Sequence, residues 1–234
     1  MKKIAILILL VAFYCAAYSQ QSNRLTTAEK KAHWTLLFNG KNTTGWHTYL
    51  KPDAGAAWKV SNGTIELDPA EKDGRGDLVS NNEYENFELA FQWNISEEGN
   101  SGLIFLVHEA PEYHATYETG PEYQLLDDQK AEDNKKPNHL AGSLYDLIAP
   151  ATKAVKPAGE WNESRIRLEN GHLTFWLNGK QVVETNLWTE NWKTLLENSK
   201  FKGWKGFAAY HKGHIALQDH GHKISFRNIR IKEL

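Results

Sequence analysis

Three of the chain's four Asn-Gly pairs constrain it more than any other feature: Asn62-Gly63, Asn170-Gly171 and Asn178-Gly179. A two-residue type I′ turn needs positive φ at both central positions, which Asn and Gly tolerate, and its twist suits antiparallel strands. The first pair separates strand-like segments at 58–60 and 64–67. The other two separate 161–169, 172–177 and 181–184, which predicts a three-stranded meander. Phe87, Leu89, Phe91, Trp93 and Ile95 alternate along 87–95, so one face of that strand is apolar. Residues 103–107 are continuously apolar and predict a strand buried on both faces.

A short apolar-rich stretch covers 34–38, and further strands are expected at 122–126, 143–147, 215–218 and 223–232. One helix is predicted over 189–199, with Thr189 as its cap and Trp192, Leu195 and Leu196 at helical spacing; Thr27 is expected to cap a shorter one through Lys31. Longer loops fall at 127–142 and 149–160. No repeat or low-complexity linker interrupts the pattern. Many short strands with turn signals specify an all-β sandwich or jelly roll with one or two short helices, not a parallel α/β sheet.

The first residues carry a different message. Lys2 and Lys3 precede an apolar run from 4 to 17, and Ala17 and Ser19 supply small residues at a cleavage site. A membrane-spanning helix needs roughly 20 apolar residues, and polar Gln20, Gln21, Ser22 and Asn23 follow at once. The expected organisation is a signal peptide at 1–19, a leader at 20–33 and one domain at 34–234. The expected location is the periplasm or cell envelope, with no integral membrane segment after cleavage. Cys15 is the only cysteine, and bulky Tyr14 before it fits a lipid-modification site poorly. If the chain is cut after Ser19 it has no thiol, which excludes disulfides, thiolate zinc sites and a cysteine nucleophile. A net charge of −2 and the absence of a basic stripe argue against a nucleic-acid partner. Aromatic residues make up 12% of the chain, suited equally to sandwich cores and to stacking on sugar rings.

Three polar clusters interrupt this frame. Gly99-Asn100-Ser101-Gly102 reads most simply as a tight turn. In the strand at 122–126, Glu122 and Gln124 face one way while Tyr123, Leu125 and Asp127 face the other. A carboxylate and an amide on a buried strand face are costly unless satisfied or bound to a ligand, although an edge strand would leave both in water. Gln218-Asp219-His220-Gly221-His222 lies between two hydrophobic strands and is either a solvated hairpin turn or a site. Histidine is the natural proton carrier near neutral pH, and His220 is the best placed. Retaining glycosidases hold two carboxylates about 5–5.5 Å apart, but Glu122 and Asp127 point to opposite faces unless a bulge intervenes. No metalloprotease helix, nucleophile elbow or phosphate-binding glycine loop is present. His139 and Arg75 fall in loops and are expected to be solvated.

These same segments resemble the 3-keto-disaccharide hydrolase family, whose fold is a concanavalin A-like jelly roll. The resemblance is carried by Gly99-Asn100-Ser101-Gly102, Glu122-Tyr123-Gln124-Leu125-Leu126-Asp127 and Gly142-Ser143-Leu144-Tyr145-Asp146. It continues through Pro157-Ala158-Gly159-Glu160-Trp161-Asn162, Trp176-Leu177-Asn178-Gly179, Leu217-Gln218-Asp219-His220-Gly221 and Phe226-Arg227-Asn228-Ile229-Arg230-Ile231. It implies a carbohydrate substrate already oxidised at C3 by a glycoside 3-dehydrogenase. Proton loss at C2, elimination at C1 and hydration then complete a net hydrolysis. By position in these motifs, Glu122 and His220 would be acid/base or metal-binding groups. Gln124, Tyr145 and Asn100 would hold the sugar, with Asp127 and Asp219 as orienting carboxylates. The resemblance fixes no cofactor, and a divalent ion held by Glu122 and His220 would stabilise an enediolate. The competing readings are a carbohydrate-binding module without catalysis, which has no need of a poised histidine and carboxylate, and a scaffold domain.

Overall fold

The Asn-Gly pairs turn where their chemistry requires: Asn62, Asn170 and Asn178 have φ of 49°, 50° and 47°, and the following glycines are also positive. In this computed structural model, which describes residues 22–234, the first pair joins β3 (Trp58–Ser61) to β4 (Thr64–Leu67). The others join β9 (Asn162–Glu169), β10 (His172–Leu177) and β11 (Lys180–Asn186) into the expected meander. The predicted signal peptide and Cys15 lie outside the described residues.

The remaining strands are β1 (Thr35–Leu36), β2 (Trp46–Thr48), β5 (Leu78–Tyr84), β6 (Phe87–Ile95), β7 (Asn100–Val107), β8 (Glu122–Leu126), β12 (Gly213–Leu217) and β13 (Ile224–Glu233). They form two antiparallel sheets. One runs β11-β10-β9-β6-β13-β4-β3, with β1 added beside β13, and the other runs β2-β5-β12-β7-β8. The result is the β-sandwich expected of a concanavalin A-like jelly roll. Helices are short: α1 (Thr27–Lys31) and α2 (Glu190–Glu197). Among the described residues no helix is long and apolar enough to cross a membrane.

Four expectations need correction or completion. The cap of α1 is Thr26, not Thr27, because Thr26 and Glu29 satisfy each other's backbone N–H groups in a capping box. Residues 143–147 do not form a strand. Only Leu144 bridges, to Tyr123 and Ile148, while the backbone turns under the free edge of β8. Strands β2 and β5 lack a sequence signature, since β5 mixes apolar Leu78 and Val79 with the polar run 80–83. The polar segment after β12 is not a hairpin. β12 and β13 belong to different sheets, so residues 218–223 cross from one to the other.

The sheets meet through large aromatics. Phe91 and Tyr123 pack edge to face with ring centroids 5.8 Å apart, as do Phe105 and Phe175 at 5.9 Å. A buried polar chain runs through this apolar layer. Trp93 Nε1 donates to Ser164 Oγ at 2.9 Å, Ser164 Oγ donates to the Tyr123 hydroxyl at 2.9 Å, and Tyr123 donates to the Trp176 carbonyl at 3.1 Å. Every member is satisfied, so the chain ties β8 to the opposite sheet. With Tyr123 held inward, strand alternation turns Glu122 and Gln124 outward.

Replacing Tyr123 with Phe removes the link but keeps the ring, leaving the Ser164 hydroxyl proton without its acceptor. The expected loss is about 1–3 kcal/mol of unfolding free energy with unchanged far-UV circular dichroism, measured by urea denaturation. An unaltered midpoint would contradict this role.

Candidate functional site

Outward-facing residues of the five-stranded sheet make the floor of a pocket. Pairing sets Gly102 opposite Gln124 and Ile104 opposite Glu122, so Asn100, Gly102, Glu122 and Gln124 share one face. Gln218 leaves β12 beside them, its N–H donating to the Gly102 carbonyl at 2.9 Å. Tyr117, Tyr145, Lys200, Phe201, Phe207 and His220 wall a cavity of about 280 Å³ above this floor. A wider cleft of about 760 Å³ shares Asn100, Tyr145 and His220 with it and carries Glu98, Lys130, Glu132 and His222 on its other side.

Glu122 is only 7% exposed. Its carboxylate fits because residue 102 has no side chain: a β-carbon there would collide with Glu122 Oε1. With its amide nitrogen toward the carboxylate, Gln124 donates to Glu122 Oε1 at 2.9 Å and to the Ser101 carbonyl at 3.1 Å. Gln218 also hydrogen-bonds Glu122, yet its own buried Oε1 finds no partner among the described residues. That oxygen is buried, while the residue itself lines the pocket floor.

Burial pushes the Glu122 carboxyl up to about 8; nearby Lys200 opposes the shift, and the charges of Asp77 and Asp133 add to it. Burial moves the His220 imidazole the other way, below its ordinary value, with repulsion from His222 contributing. Their rings stack with centroids 6.0 Å apart. A carboxylic acid and a neutral imidazole therefore line one cavity near neutral pH, a division of acid and base roles set by environment. Burial also lowers the Lys200 ammonium against the attraction of Glu122, Asp146 and Asp133.

Two networks hold the walls. His139, expected in solvent, is buried between carboxylates, with Nδ1 2.7 Å from Asp133 Oδ1 and Nε2 2.8 Å from Asp146 Oδ1. Asp133 accepts the Tyr145 hydroxyl at 2.9 Å, and Asp146 accepts the Lys200 backbone N–H at 3.0 Å. Lys200 Nζ lies 4.0 Å from the centre of the Tyr145 ring. The second network fixes the crossing segment that carries Gln218 and His220. Asp219 accepts from both Arg75 nitrogens and from the Gly76 N–H, while its own N–H donates to Asp77 at 2.8 Å and Thr116 donates to the same carboxylate. Burial opposes the Asp219 charge, but the Arg75 and glycine hydrogen bonds hold its carboxyl below the usual range. Arg75, too, is engaged rather than solvated.

Of the residues singled out by sequence, the structure brings Asn100, Glu122, Gln124, Tyr145 and His220 to the cavity. Asp127 is elsewhere: its side chain accepts from the Glu98 and Gln129 N–H groups and organises a turn. Asp219 is absent from the lining and instead pairs with Arg75 and the Gly76 N–H next to His220 in the chain. Gln218 was named in the third polar cluster but given no role, and Lys200 was not named. Gln218 had a signal, its even spacing with His220, whereas Lys200 arrives from the turn after α2 with no local pattern. Among the described residues no three His, Cys, Asp or Glu side chains converge as ligands for a metal ion.

Residues 33–232 match the family described as the 3-keto-alpha-glucoside-1,2-lyase-like domain. A 3-keto-disaccharide hydrolase of Bacteroides thetaiotaomicron is 34% identical over 227 residues, covering 86% of this chain and 78% of the relative. Two crystal structures of proteins from Parabacteroides distasonis ATCC 8503, each proposed to be a glycosyl hydrolase, share the fold. One has a TM-score of 0.85 at 35% identity over 92% of this chain and 100% of its own. The other has a TM-score of 0.68 at 30% identity over 86% of this chain and 99% of its own.

Folding raises the Glu122 pKa from an ordinary value near 4.5 to about 8. Between those values the native state keeps a proton that the unfolded chain has released, so stability falls as pH rises through that window. Glu122→Gln cannot lose this proton. It is expected to melt above the natural chain at about pH 9 and close to it at about pH 4, measured by differential scanning calorimetry. Equal melting at both pH values would contradict the raised pKa.

Proposed function

The chain belongs to the 3-keto-alpha-glucoside-1,2-lyase-like family, a carbohydrate-active, glycosidase-like group, and on that premise we propose that it cleaves 3-keto-glycosides by elimination and hydration. The observation that carries the reading is the pairing of a protonated Glu122 with a neutral His220 in one cavity.

A ketone at C3 acidifies the hydrogen at C2. His220 takes that proton, and the C2–H electrons form a C2=C3 enolate. As the C3 carbonyl re-forms, a C1=C2 double bond appears and the C1–O bond breaks. Glu122 gives its proton to the departing oxygen. Water then adds across C1=C2, hydroxyl to C1 and proton to C2, leaving the free 3-keto sugar. Lys200, held beside Tyr145, supplies positive charge for the enolate, and Gln218 on the pocket floor helps to seat the sugar. One acid and one base suffice, so the opposed faces of Glu122 and Asp127 present no difficulty. The ketone must come from an enzyme that oxidises the C3 hydroxyl, a glycoside 3-dehydrogenase by class.

The test is product formation from a 3-keto-glucoside and from its unoxidised parent. Turnover of the ketone alone is expected, with kcat/KM rising as His220 loses its proton and falling as Glu122 loses its own at about pH 8. Glu122→Gln and His220→Ala should each lower the rate by about 10²–10⁴-fold while remaining folded. Binding of both sugars without turnover would sink the enzyme reading and favour a carbohydrate-binding module.

A further inference from the structure

Beside the catalytic pocket lies an aromatic groove that the proposed chemistry does not use. Among the described residues four large apolar side chains stand exposed, and two of them, Tyr117 at 44% and Trp204 at 38%, meet here. Their ring centroids are 6.3 Å apart with planes inclined by 39°, forming a tilted platform. The groove, of about 430 Å³, is completed by Tyr113, Glu118, Lys205 and Gly206.

The platform is held from behind. A β-carbon at Gly206 would sit 2.6 Å from Tyr113 Cε1, so the absence of a side chain lets that ring lie against the backbone. The Tyr113 hydroxyl is engaged with the Tyr210 hydroxyl at 3.0 Å, and the Tyr113 carbonyl accepts from Tyr49 at 3.2 Å. Trp204 packs edge to face on Phe201 with centroids 5.3 Å apart, and Phe201 is itself a wall of the pocket. Tyr117 lines both the pocket and the groove, so the two are neighbours.

The pocket therefore has two neighbouring clefts of different chemistry. One is ionic, with Glu98, Lys130, Glu132 and Asp133 able to hydrogen-bond a polyol. The other is aromatic, with only Glu118 and Lys205 as charged side chains at its rim. A contiguous exposed aromatic surface beside a site is the feature expected of a ligand-binding groove. We infer that the groove formed by Tyr113, Tyr117 and Trp204 binds the aromatic ring of the leaving group, so that the substrates include aryl glycosides. This rests on the glycoside reading of the neighbouring pocket and adds a substrate class to it.

The test uses unoxidised phenyl and methyl glucosides of the same anomeric configuration, titrated into the natural chain by calorimetry. Neither carries a ketone, so the outcome is independent of elimination, whose failure would show only with the oxidised substrate. The phenyl compound is expected to bind about tenfold more tightly, the order of a favourable aromatic contact. Trp204→Leu and Trp204→Ala should abolish that preference while leaving methyl glucoside affinity unchanged. Equal binding of both compounds, binding of neither, or a preference that survives in a folded Trp204 variant would overturn the assignment. Should both variants fail to fold, saturation-transfer NMR on the natural chain decides. Stronger saturation of the aryl protons than of the sugar protons is expected, and the reverse overturns it.

Discussion

The hydrogen-bonded chain from Trp93 through Ser164 to Tyr123 is the constraint on which the rest of the site depends. A tyrosine hydroxyl buried among Phe91 and Phe175 has to be satisfied there, and only the opposite sheet offers partners. Once Tyr123 points inward, β8 has no freedom in register, because a slip of one residue would drive Glu122 and Gln124 into the core. Gly102 then supplies the space into which the Glu122 carboxylate folds. The pocket floor is thus a consequence of how the core is closed.

The walls obey a different logic. They come from loops, and loops hold a geometry only when their polar groups are tied down. Asp133, His139 and Asp146 do this for Tyr145 and Lys200, while Arg75, Asp219 and Asp77 do it for Gln218 and His220. Burial pushes the Asp77 carboxyl up to about 6, against the hydrogen bonds from Thr116 and the Asp219 N–H that favour its charged form. Three acidic groups placed around Glu122 and Lys200 without such pairing would cost stability and give no defined pocket. Held in place, Asp77 and Asp133 add to the burial that raises the Glu122 pKa, while burial and His222 keep the His220 imidazole below its ordinary value against the pull of Asp133 and Asp219.

Most of the strand pattern was legible because period-two alternation and Asn-Gly turns are local signals. Residues 87–95 and the meander from 161 to 184 follow from them directly. The parity of Glu122, Gln124 and Tyr123 was equally readable, and with it the direction of the site. What could not be read was long-range. β5 hides behind its polar run, and the crossing after β12 depends on which sheet each neighbour joins. Asp127 lies on the opposite parity from Glu122, as spacing requires, but the strand ends at Leu126 and the carboxylate turns back to its own loop. His139 looked like a surface residue because its two aspartate partners gather around it only in the fold. Lys200 had no pattern to betray it, since its place depends on where α2 docks.

The central claim is that one pocket holds a protonated carboxyl and a neutral imidazole at the same pH. NMR titration of the Glu122 side-chain carboxyl carbon and the His220 ring in the same sample measures it most directly. The account predicts that Glu122 titrates at about 8 and His220 below 6.5. A Glu122 midpoint near its ordinary 4.5 would contradict it, since a carboxylate already ionised at neutral pH has no proton to give the leaving oxygen.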